Sequence, residues 1–302
     1  MAASTARIAS APISWGVSEV PEWGHQLAPE RVLREMSELG YTATEIGPDG
    51  FLPDAPAEKA ARLAEFGLTA LGSFVPVVLH DADNDPAPRI RRELEAYAAV
   101  GADTLILCAV TGQDGYDEPR PVLTEAQWST LFSNLDLLTE LAAEVGVTTA
   151  LHPHVGSVVE SAEEVDRVLN GSRIPFCFDT GHLMIGGTDP VAFAQQHADR
   201  IAHTHLKDVS VKQMLRVKNG EISYYQGSID GLYTPLGQGD VDIRTIVHAL
   251  LESGYTGWFV TEQDKVLIGG EPAEGEGPIE DARESIEYLN GTIAEFLAAQ
   301  SA

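Results

Sequence analysis

Four apolar runs of strand length lead into imidazole or carboxylate side chains, which are the side chains that bind divalent cations. The most compact run is Phe176 to Phe178, followed by Asp179 and, three residues later, His182. A carboxylate at the end of a buried strand needs a partner, because burying an unpaired charge is costly. An isolated Asp in this position is equally consistent with a helix cap, so the other three runs decide the interpretation.

These other runs carry side chains of the same kinds. One ends at His152 and His154, another contains His203 and His205, and the last ends at Glu262. Side chains alternate between the two faces of a strand, so His203 and His205 lie on the same side of theirs. Any one of these histidines alone is more simply a hydrogen-bonded core residue. Ligand types at the ends of several strands favour a shared site instead.

The sequence therefore predicts a divalent metal site. Two imidazoles and two carboxylates suit Mn²⁺ or Co²⁺ first, with Zn²⁺ and Mg²⁺ as alternatives, and the remaining positions leave room for a substrate. Glu262 has a competing interpretation as the ion-pair partner of Lys207. The predicted ligands are His152, Asp179, His205 and Glu262.

Further residues near the strand ends are candidates for catalysis and substrate binding. Imidazole titrates near neutrality, which favours His154 and His182 for proton transfer. Lys207 is a candidate acid or oxyanion partner, and Glu45 is a spare base, although a salt bridge at the rim explains Glu45 equally well. An indole can stack on a ring-shaped ligand or simply be a buried aromatic. The predicted substrate-binding residues are Trp15, His203 and Gln263.

Strand-length apolar runs alternate with segments of helical periodicity along the whole sequence. The predicted strands are 8–14, 43–46, 69–75, 104–110, 147–151, 175–178, 201–206 and 258–261. The predicted helices are 29–39, 56–66, 88–100, 125–145, 162–169, 190–197, 242–253 and 279–297. Eight strand-then-helix units predict an α/β fold, a single (β/α)8 TIM barrel domain over residues 1–302. The carboxyl ends of all strands in such a barrel face one mouth, where the ligand-type side chains would meet.

The composition argues against several classes of partner. Lys and Arg total 19 against 46 Asp and Glu, and the net charge of −27 repels nucleic acid and anionic membrane surfaces. Without a long apolar run or a recognisable signal peptide, we expect a cytoplasmic protein. Cys108 and Cys177 lie in apolar runs and are expected to be small buried hydrophobes. The connection from Lys207 to Val241 is unusually long, and we expect it to cross the mouth.

Several motifs distributed over nearly the whole chain match one superfamily. They are Ala-Pro-Ile-Ser-Trp at 11–15, Thr-Glu-Ile-Gly at 44–47, His-Pro-His-Val-Gly at 152–156, Asp-Thr-Gly-His at 179–182, His-Thr-His-Leu-Lys-Asp at 203–208 and Gly-Trp-Phe-Val-Thr-Glu-Gln-Asp at 257–264. With these motifs the chain resembles the xylose-isomerase-like barrels of sugar isomerases, epimerases and dehydratases, and within them the inosose dehydratases of myo-inositol catabolism. The resemblance implies a divalent metal held by strands five to eight, at the four positions already named.

It also implies a metal-dependent lyase acting on a keto-polyol, most closely the dehydration of 2-keto-myo-inositol through an enediolate. Much of the superfamily has Glu where this chain has His152, and inosose dehydratases carry Ser-Glu-Gln at strand four and a basic, aromatic motif at strand three. Here those strands read Leu-Cys-Ala-Val at 107–110 and Leu-Gly-Ser-Phe at 71–74. These differences concern the substrate pocket. A sugar isomerase or epimerase, a lyase that cleaves 3-keto-glycosides, and a non-catalytic sugar-binding barrel in a homo-oligomer or with a partner subunit therefore stay as alternatives.

Overall fold

A computed structural model describes residues 6–301 of the chain. Its strands are Arg7–Ser10 (β1), Ala43–Thr44 (β2), Thr69–Ala70 (β3), Gly72–Val77 (β4), Thr104–Ala109 (β5), Thr148–Leu151 (β6), Phe176–Asp179 (β7), Ile201–Leu206 (β8), Asp208–Val209 (β9), Tyr233–Thr234 (β10) and Trp258–Thr261 (β11). Nine of them form one parallel sheet in the order β3-β2-β1-β11-β8-β7-β6-β5-β4. The other two, β9 and β10, pair antiparallel.

The sheet closes on itself, because its two terminal strands are one strand interrupted at a single residue. Leu71 lies between β3 and β4, and its N–H donates to the carbonyl of Thr44 at 3.0 Å. The Leu71 carbonyl in turn accepts from the N–H of Thr104 at 3.0 Å. Eight strands therefore form a closed barrel, and the predicted (β/α)8 fold is confirmed.

Helices surround the sheet on the outside. They are Pro29–Glu38 (α1), Pro56–Glu65 (α2), Ala87–Val100 (α3), Glu125–Glu144 (α4), Ala162–Gly171 (α5), Thr180–Gly186 (α6), Pro190–Gln196 (α7), Val211–Lys218 (α8), Tyr224–Ile229 (α9), Ile243–Glu252 (α10) and Pro278–Gln300 (α11). Proline in the first turn starts α1 and α2, and capping boxes begin α4 at Thr124 and α5 at Ser161. Among the described residues, no helix has the length and apolar character needed to cross a membrane.

The predicted end of the first strand was wrong. This strand ends at Ser10 and not at residue 14, because Pro12–Trp15 forms a 3₁₀ helix that turns the chain away from the sheet. Proline fixes φ at a value suited to such a turn and has no N–H to donate to a neighbouring strand. The long connection 207–241 contains α8, α9 and the β9–β10 pair.

Side chains that point into the barrel are small or medium-sized in its lower half. Strand pairing aligns Ile106 with Ala150, and Cys177 with His203. Cys177 packs with Ile106 and Ala150, and both cysteines are free and fully buried, as predicted. Outward-facing positions such as Leu105 join the larger apolar layer between sheet and helices. This filled lower half leaves the carboxyl ends of the strands as the place for a cavity.

Candidate metal centre and active site

The four predicted ligands and Glu45 form one layer of inward-facing side chains at the mouth of the barrel. Each follows an inward-facing residue of the layer below by two positions, which returns the side chain to the same face of the strand. The pairs, lower residue first, are Ala43 and Glu45, Ala150 and His152, Cys177 and Asp179, His203 and His205, and Val260 and Glu262. Strand pairing places Asp179 beside His205 and His205 beside Val260. All five members of the upper layer are buried.

The four predicted ligands converge around Nδ1 of His205. This nitrogen lies 2.8 Å from Oε2 of Glu262, 3.1 Å from Nε2 of His152 and 3.6 Å from Oδ2 of Asp179. Nε2 of His152 is itself 3.1 Å from Oδ2 of Asp179. The ligand atoms of Asp179, His205 and Glu262 lie within 4.8 Å of one another. The structure thus brings the four predicted ligands together.

This cluster fits a divalent cation because its side chains are buried close together and are of the types that such ions bind. Two imidazole nitrogens and two carboxylate oxygens form a donor set typical of Zn²⁺, Mn²⁺ or Co²⁺. Burial lowers the pKa of His152, which keeps this imidazole neutral and able to bind a metal.

The ammonium of Lys207 supplies positive charge beside the cluster. Its Nζ lies 3.2 Å from Oδ2 of Asp179, 3.1 Å from Oε2 of Glu262 and 2.7 Å from Oδ1 of Asp264. Burial acts to lower the pKa of Lys207, but these carboxylates outweigh it and hold the pKa well above its usual range. Burial likewise opposes ionisation of Asp179, yet Lys207 and His182 keep its pKa well below the usual range. The charged forms therefore prevail on both partners.

His154 and His182 stack against each other next to Lys207, with ring centroids 3.8 Å apart. Nδ1 of His154 lies 2.7 Å from the carbonyl of Val155 and donates to it, which leaves Nε2 as the basic nitrogen. Nε2 of His182 is 3.1 Å from Nζ of Lys207. Burial, followed by the nearby His and Lys207 charges, lowers the pKa of both rings well below the usual value. Both imidazoles are therefore neutral at neutral pH.

A cavity of about 420 Å³ opens from this cluster toward the mouth. Of the predicted residues, His152, His154, His205, Lys207, Glu45 and Glu262 line it. Asp179 and His182 lie directly behind this wall, fully buried. The further cavity residues, which were not predicted as site residues, include Trp23, Phe74, Tyr116, Tyr224 and Asp264.

One of these unpredicted residues had a signal in the sequence. Asp264 follows Glu262 by two positions, so the alternation of side chains along β11 predicts that it points the same way as Glu262 beyond the end of the strand. By contrast, Tyr116 and Tyr224 belong to connections whose contacts the sequence does not specify. Tyr116 stacks on His154 with ring centroids 4.1 Å apart, and Tyr224 donates its hydroxyl to Oδ2 of Asp264 at 2.7 Å.

The three predicted substrate-binding residues do not line the cavity. Trp15 is fully buried in the 3₁₀ helix, and its Nε1 donates to Glu35 at 2.8 Å. His203 belongs to the layer below the ligands and contacts Glu45. Gln263 points outward, where its amide donates to the carbonyl of Tyr233 at 3.2 Å. These three side chains lie in the wall behind the cavity lining.

Asp208 anchors the segment that covers one side of the mouth. Its carboxylate accepts four backbone N–H groups: Oδ1 from Val209 at 2.9 Å and Val241 at 3.0 Å, and Oδ2 from Gly237 at 2.8 Å and Gly239 at 3.0 Å. A Cβ at Gly239 would come within 2.2 Å of this carboxylate, so the close approach requires glycine. Both ends of the 208–241 segment are thereby tied to the end of β8.

A second carboxylate, Asp117, holds α9 from the opposite side of the mouth. It accepts the N–H groups of Tyr224 at 2.5 Å and Tyr225 at 3.1 Å. Ser223 also caps the first turn of α9, because its hydroxyl accepts from the N–H of Gln226 at 3.0 Å. The connection after β5 is thus linked to α9, which carries Tyr224 over the cavity.

The comparisons with known proteins place this chain in a family. The model of the xylose isomerase-like TIM barrel family matches residues 33–291, and the chain belongs to that family. Its closed barrel with ligand-type side chains at the carboxyl ends of the strands agrees with this assignment.

Two relatives among characterised proteins extend the similarity over most of the chain. An inosose dehydratase of Geobacillus kaustophilus (strain HTA426) is 32% identical and covers 97% of both chains. The rhizopine catabolism protein MocC of Rhizobium meliloti is 35% identical over 86% of this chain and 82% of its own length. The protein is accordingly an enzyme of this family.

Solved structures share the fold at lower sequence identity. The IolI protein with a bound zinc atom has a TM-score of 0.69 and 15% identity, covering 96% of this chain and 99% of its own. An L-ribulose 3-epimerase has a TM-score of 0.68 and 16% identity, covering 98% of this chain and 97% of its own. Likeness at this level of identity concerns the fold alone.

Proposed function

We propose that this protein is a divalent-metal-dependent lyase that removes water from 2-keto-myo-inositol or a closely related keto-polyol. The observation that carries the proposal is the juxtaposition, on one cavity, of a four-residue ligand cluster with a neutral imidazole, His154, and an ammonium, Lys207. The similarity to inosose dehydratases over nearly the full chain supports the same reaction class. Mn²⁺ or Co²⁺ is the proposed ion, with Zn²⁺ and Mg²⁺ as alternatives that the same ligands can bind.

The proposed ligands are His152, Asp179, His205 and Glu262, whose side chains lie around Nδ1 of His205. A bound divalent cation would polarise the ketone and stabilise the negative charge that develops on its oxygen. The chain itself must then move two protons, one from the α-carbon and one to the hydroxyl group that leaves as water.

His154 is the proposed base for the α-proton. Its Nδ1 is committed to the carbonyl of Val155, so Nε2 carries the available lone pair, and its lowered pKa keeps that nitrogen unprotonated at neutral pH. The ring is held between Tyr116 and His182, which fixes its orientation.

Lys207 is the proposed proton donor to the departing hydroxyl group. The adjacent carboxylates keep it protonated, and its bond to Asp264 directs the ammonium toward the cavity wall next to His154. Asp179 and His182 support this arrangement from behind. The substrate would lie against Phe74, Tyr116 and Tyr224, since an aromatic face suits the apolar face of a polyol ring.

The direct test is incubation of the purified protein with 2-keto-myo-inositol, followed by ultraviolet absorbance of the conjugated dione that dehydration forms. We expect EDTA to abolish the signal and Mn²⁺ or Co²⁺ to restore it. We expect His154→Gln to lower kcat by about 10²-fold to 10⁴-fold, the range for loss of a general base. His80→Gln is the matched control, because His80 is a buried histidine outside the cavity lining.

Other outcomes separate the remaining candidates. A product with the substrate's mass and no new absorbance indicates an isomerase or epimerase on the same site. Release of a sugar from a 3-keto-glycoside indicates the glycoside-cleaving lyase. Activity that is indifferent to EDTA, with no divalent metal in the purified protein by ICP mass spectrometry, contradicts the metal part of the proposal.

A further inference from the structure

Glu45 lies beside the ligand cluster, in the same layer of side chains, and contacts two histidines of β8. Its Oε1 is 2.7 Å from Nε2 of His205 and 2.9 Å from Nε2 of His203. All three side chains are buried, at 3%, 1% and 0% exposure in that order for Glu45, His205 and His203. A carboxylate in this position is fixed by two hydrogen bonds before any substrate arrives.

These two contacts determine which nitrogen of His205 carries a proton. A carboxylate only accepts hydrogen bonds, so Nε2 of His205 must donate to Glu45. When a cation displaces the proton that Nδ1 shares with Glu262, His205 keeps its proton on Nε2 and presents a lone pair on Nδ1.

Nδ1 of His205 is the nitrogen that faces the ligand cluster. It is 2.8 Å from Glu262 and 3.6 Å from Asp179, on the side of the ring opposite Glu45. Histidines that bind metals generally donate their other ring N–H to a carboxylate or carbonyl, which fixes the tautomer and raises the basicity of the binding nitrogen. The distances around His205 reproduce this arrangement.

We propose that Glu45 is a positioning residue and not the proton-transferring base. It holds His205 with the Nε2 proton toward Glu45 and the Nδ1 lone pair toward the cation. The proposal rests on the metal site of the proposed function, but not on the identity of the substrate. His203 shares the same carboxylate oxygen and so braces Glu45 against rotation. The proposal assigns a supporting role to Glu45, which lines the cavity, and to His203, which does not.

The test compares divalent metal affinity of the wild type and Glu45→Gln, measured without substrate by competition with a chromophoric chelator for Zn²⁺ and Mn²⁺. Loss of a partner of this kind typically weakens metal affinity by about 10-fold to 100-fold, and we expect a decrease in that range. Glu45→Asp, which keeps the charge, should recover part of it. Glu19→Gln is the matched control: Glu19 also lines the cavity and accepts a hydrogen bond from Tyr116 at 2.6 Å, but it is remote from the ligands.

Circular dichroism and thermal unfolding in EDTA establish that each variant folds. If Glu45→Gln does not fold, long-range ¹H–¹⁵N spectra of the histidines in the Zn²⁺-loaded wild type give the same answer. We expect both His203 and His205 to be protonated on Nε2. A Zn²⁺-loaded His205 protonated on Nδ1 overturns the proposal.

The readouts also separate this proposal from the proposed function. Wild-type metal affinity in Glu45→Gln together with lost turnover would make Glu45 the base and refute the positioning role, while the lyase assignment stands. Weakened metal affinity in a protein that does not dehydrate 2-keto-myo-inositol would leave the positioning role intact and refute the substrate. A wild type that binds neither Zn²⁺ nor Mn²⁺ refutes the metal site before any variant is compared.

Discussion

The carboxylate of Asp208 offers the sharpest test of how the mouth is built, because four backbone N–H groups depend on it. Asp208→Asn keeps the size and shape of the side chain. An amide has one oxygen, however, and in either orientation its NH₂ group faces two N–H donors. Two hydrogen bonds to a charged acceptor are lost, either those from Val209 and Val241 or those from Gly237 and Gly239.

A hydrogen bond to a charged group contributes about 1.5–3 kcal/mol net. Two such losses give a range of about 3–6 kcal/mol, and relaxation of the segment that contains Gly237 and Gly239 brings the expected value toward the lower end. We therefore expect Asp208→Asn to reduce the free energy of unfolding by about 3 kcal/mol. Asp240→Asn is the control, because Asp240 is an exposed Asp of the same segment with one backbone partner, Val211. Its effect should stay within about 0.5 kcal/mol, as for ordinary surface positions.

Urea unfolding followed by circular dichroism in EDTA measures this difference without the stabilisation that a bound metal adds. Hydrogen exchange locates it, and the amides of Gly237, Gly239 and Val241 should lose protection before the barrel strands do. An Asp208→Asn protein with the unfolding midpoint of the Asp240→Asn control would refute the reasoning. Equal protection of those three amides in the variant and the wild type would refute it as well.

Two further predictions concern the cover of the mouth and the buried thiols. Asp117→Ala should raise hydrogen exchange at Tyr224 and Tyr225 by about fivefold, since each lost hydrogen bond is worth about 1 kcal/mol. Glu118→Ala on the same exposed connection should leave the exchange unchanged, and equal exchange in the two variants counts against the link between Asp117 and α9. Burial raises the pKa of Cys108 above its usual range and that of Cys177 to about 12, so neither thiol ionises at pH 8. The native protein should therefore not react with a thiol-specific disulfide reagent, whereas both cysteines should react in guanidinium. Prompt reaction of the native protein contradicts this prediction.

The sequence was informative about the ligand layer because alternation and barrel geometry act together. Once the strands are in a closed barrel, a residue two positions beyond an inward-facing small residue must also face inward. Asp179 follows Cys177 in this way, and His205 follows His203. The same rule applied beyond the strand end would have found Asp264. This rule needs only the register of each strand, and an apolar run of four to six residues defines that register.

Direct substrate contacts could not be predicted in this way. Trp15 stands six residues after Ala9, the last inward-facing position of β1, and only the turn begun by Pro12 decides that its ring points into the core. Gln263 lies between two inward-facing acids, so it must face outward by the same alternation that orients them. Tyr224 reaches the cavity through capping by Asp117, a contact across more than a hundred residues for which the local sequence has no pattern.

The balance of charge around the mouth explains why a divalent cation suits this cluster better than protons alone. Three carboxylates, those of Asp179, Glu262 and Asp264, are buried within reach of one ammonium, Lys207, and a fourth, that of Glu45, is buried against His205. A proton on His205, whose pKa is held well above the usual value because Glu262 and Glu45 outweigh the effect of burial, still leaves two negative charges. A divalent ion that displaces this proton leaves one, and it gives the oxygens of Asp179 and Glu262 a common partner. Metal binding should therefore release a proton, and calorimetric titration in buffers of different ionisation enthalpy measures that release directly.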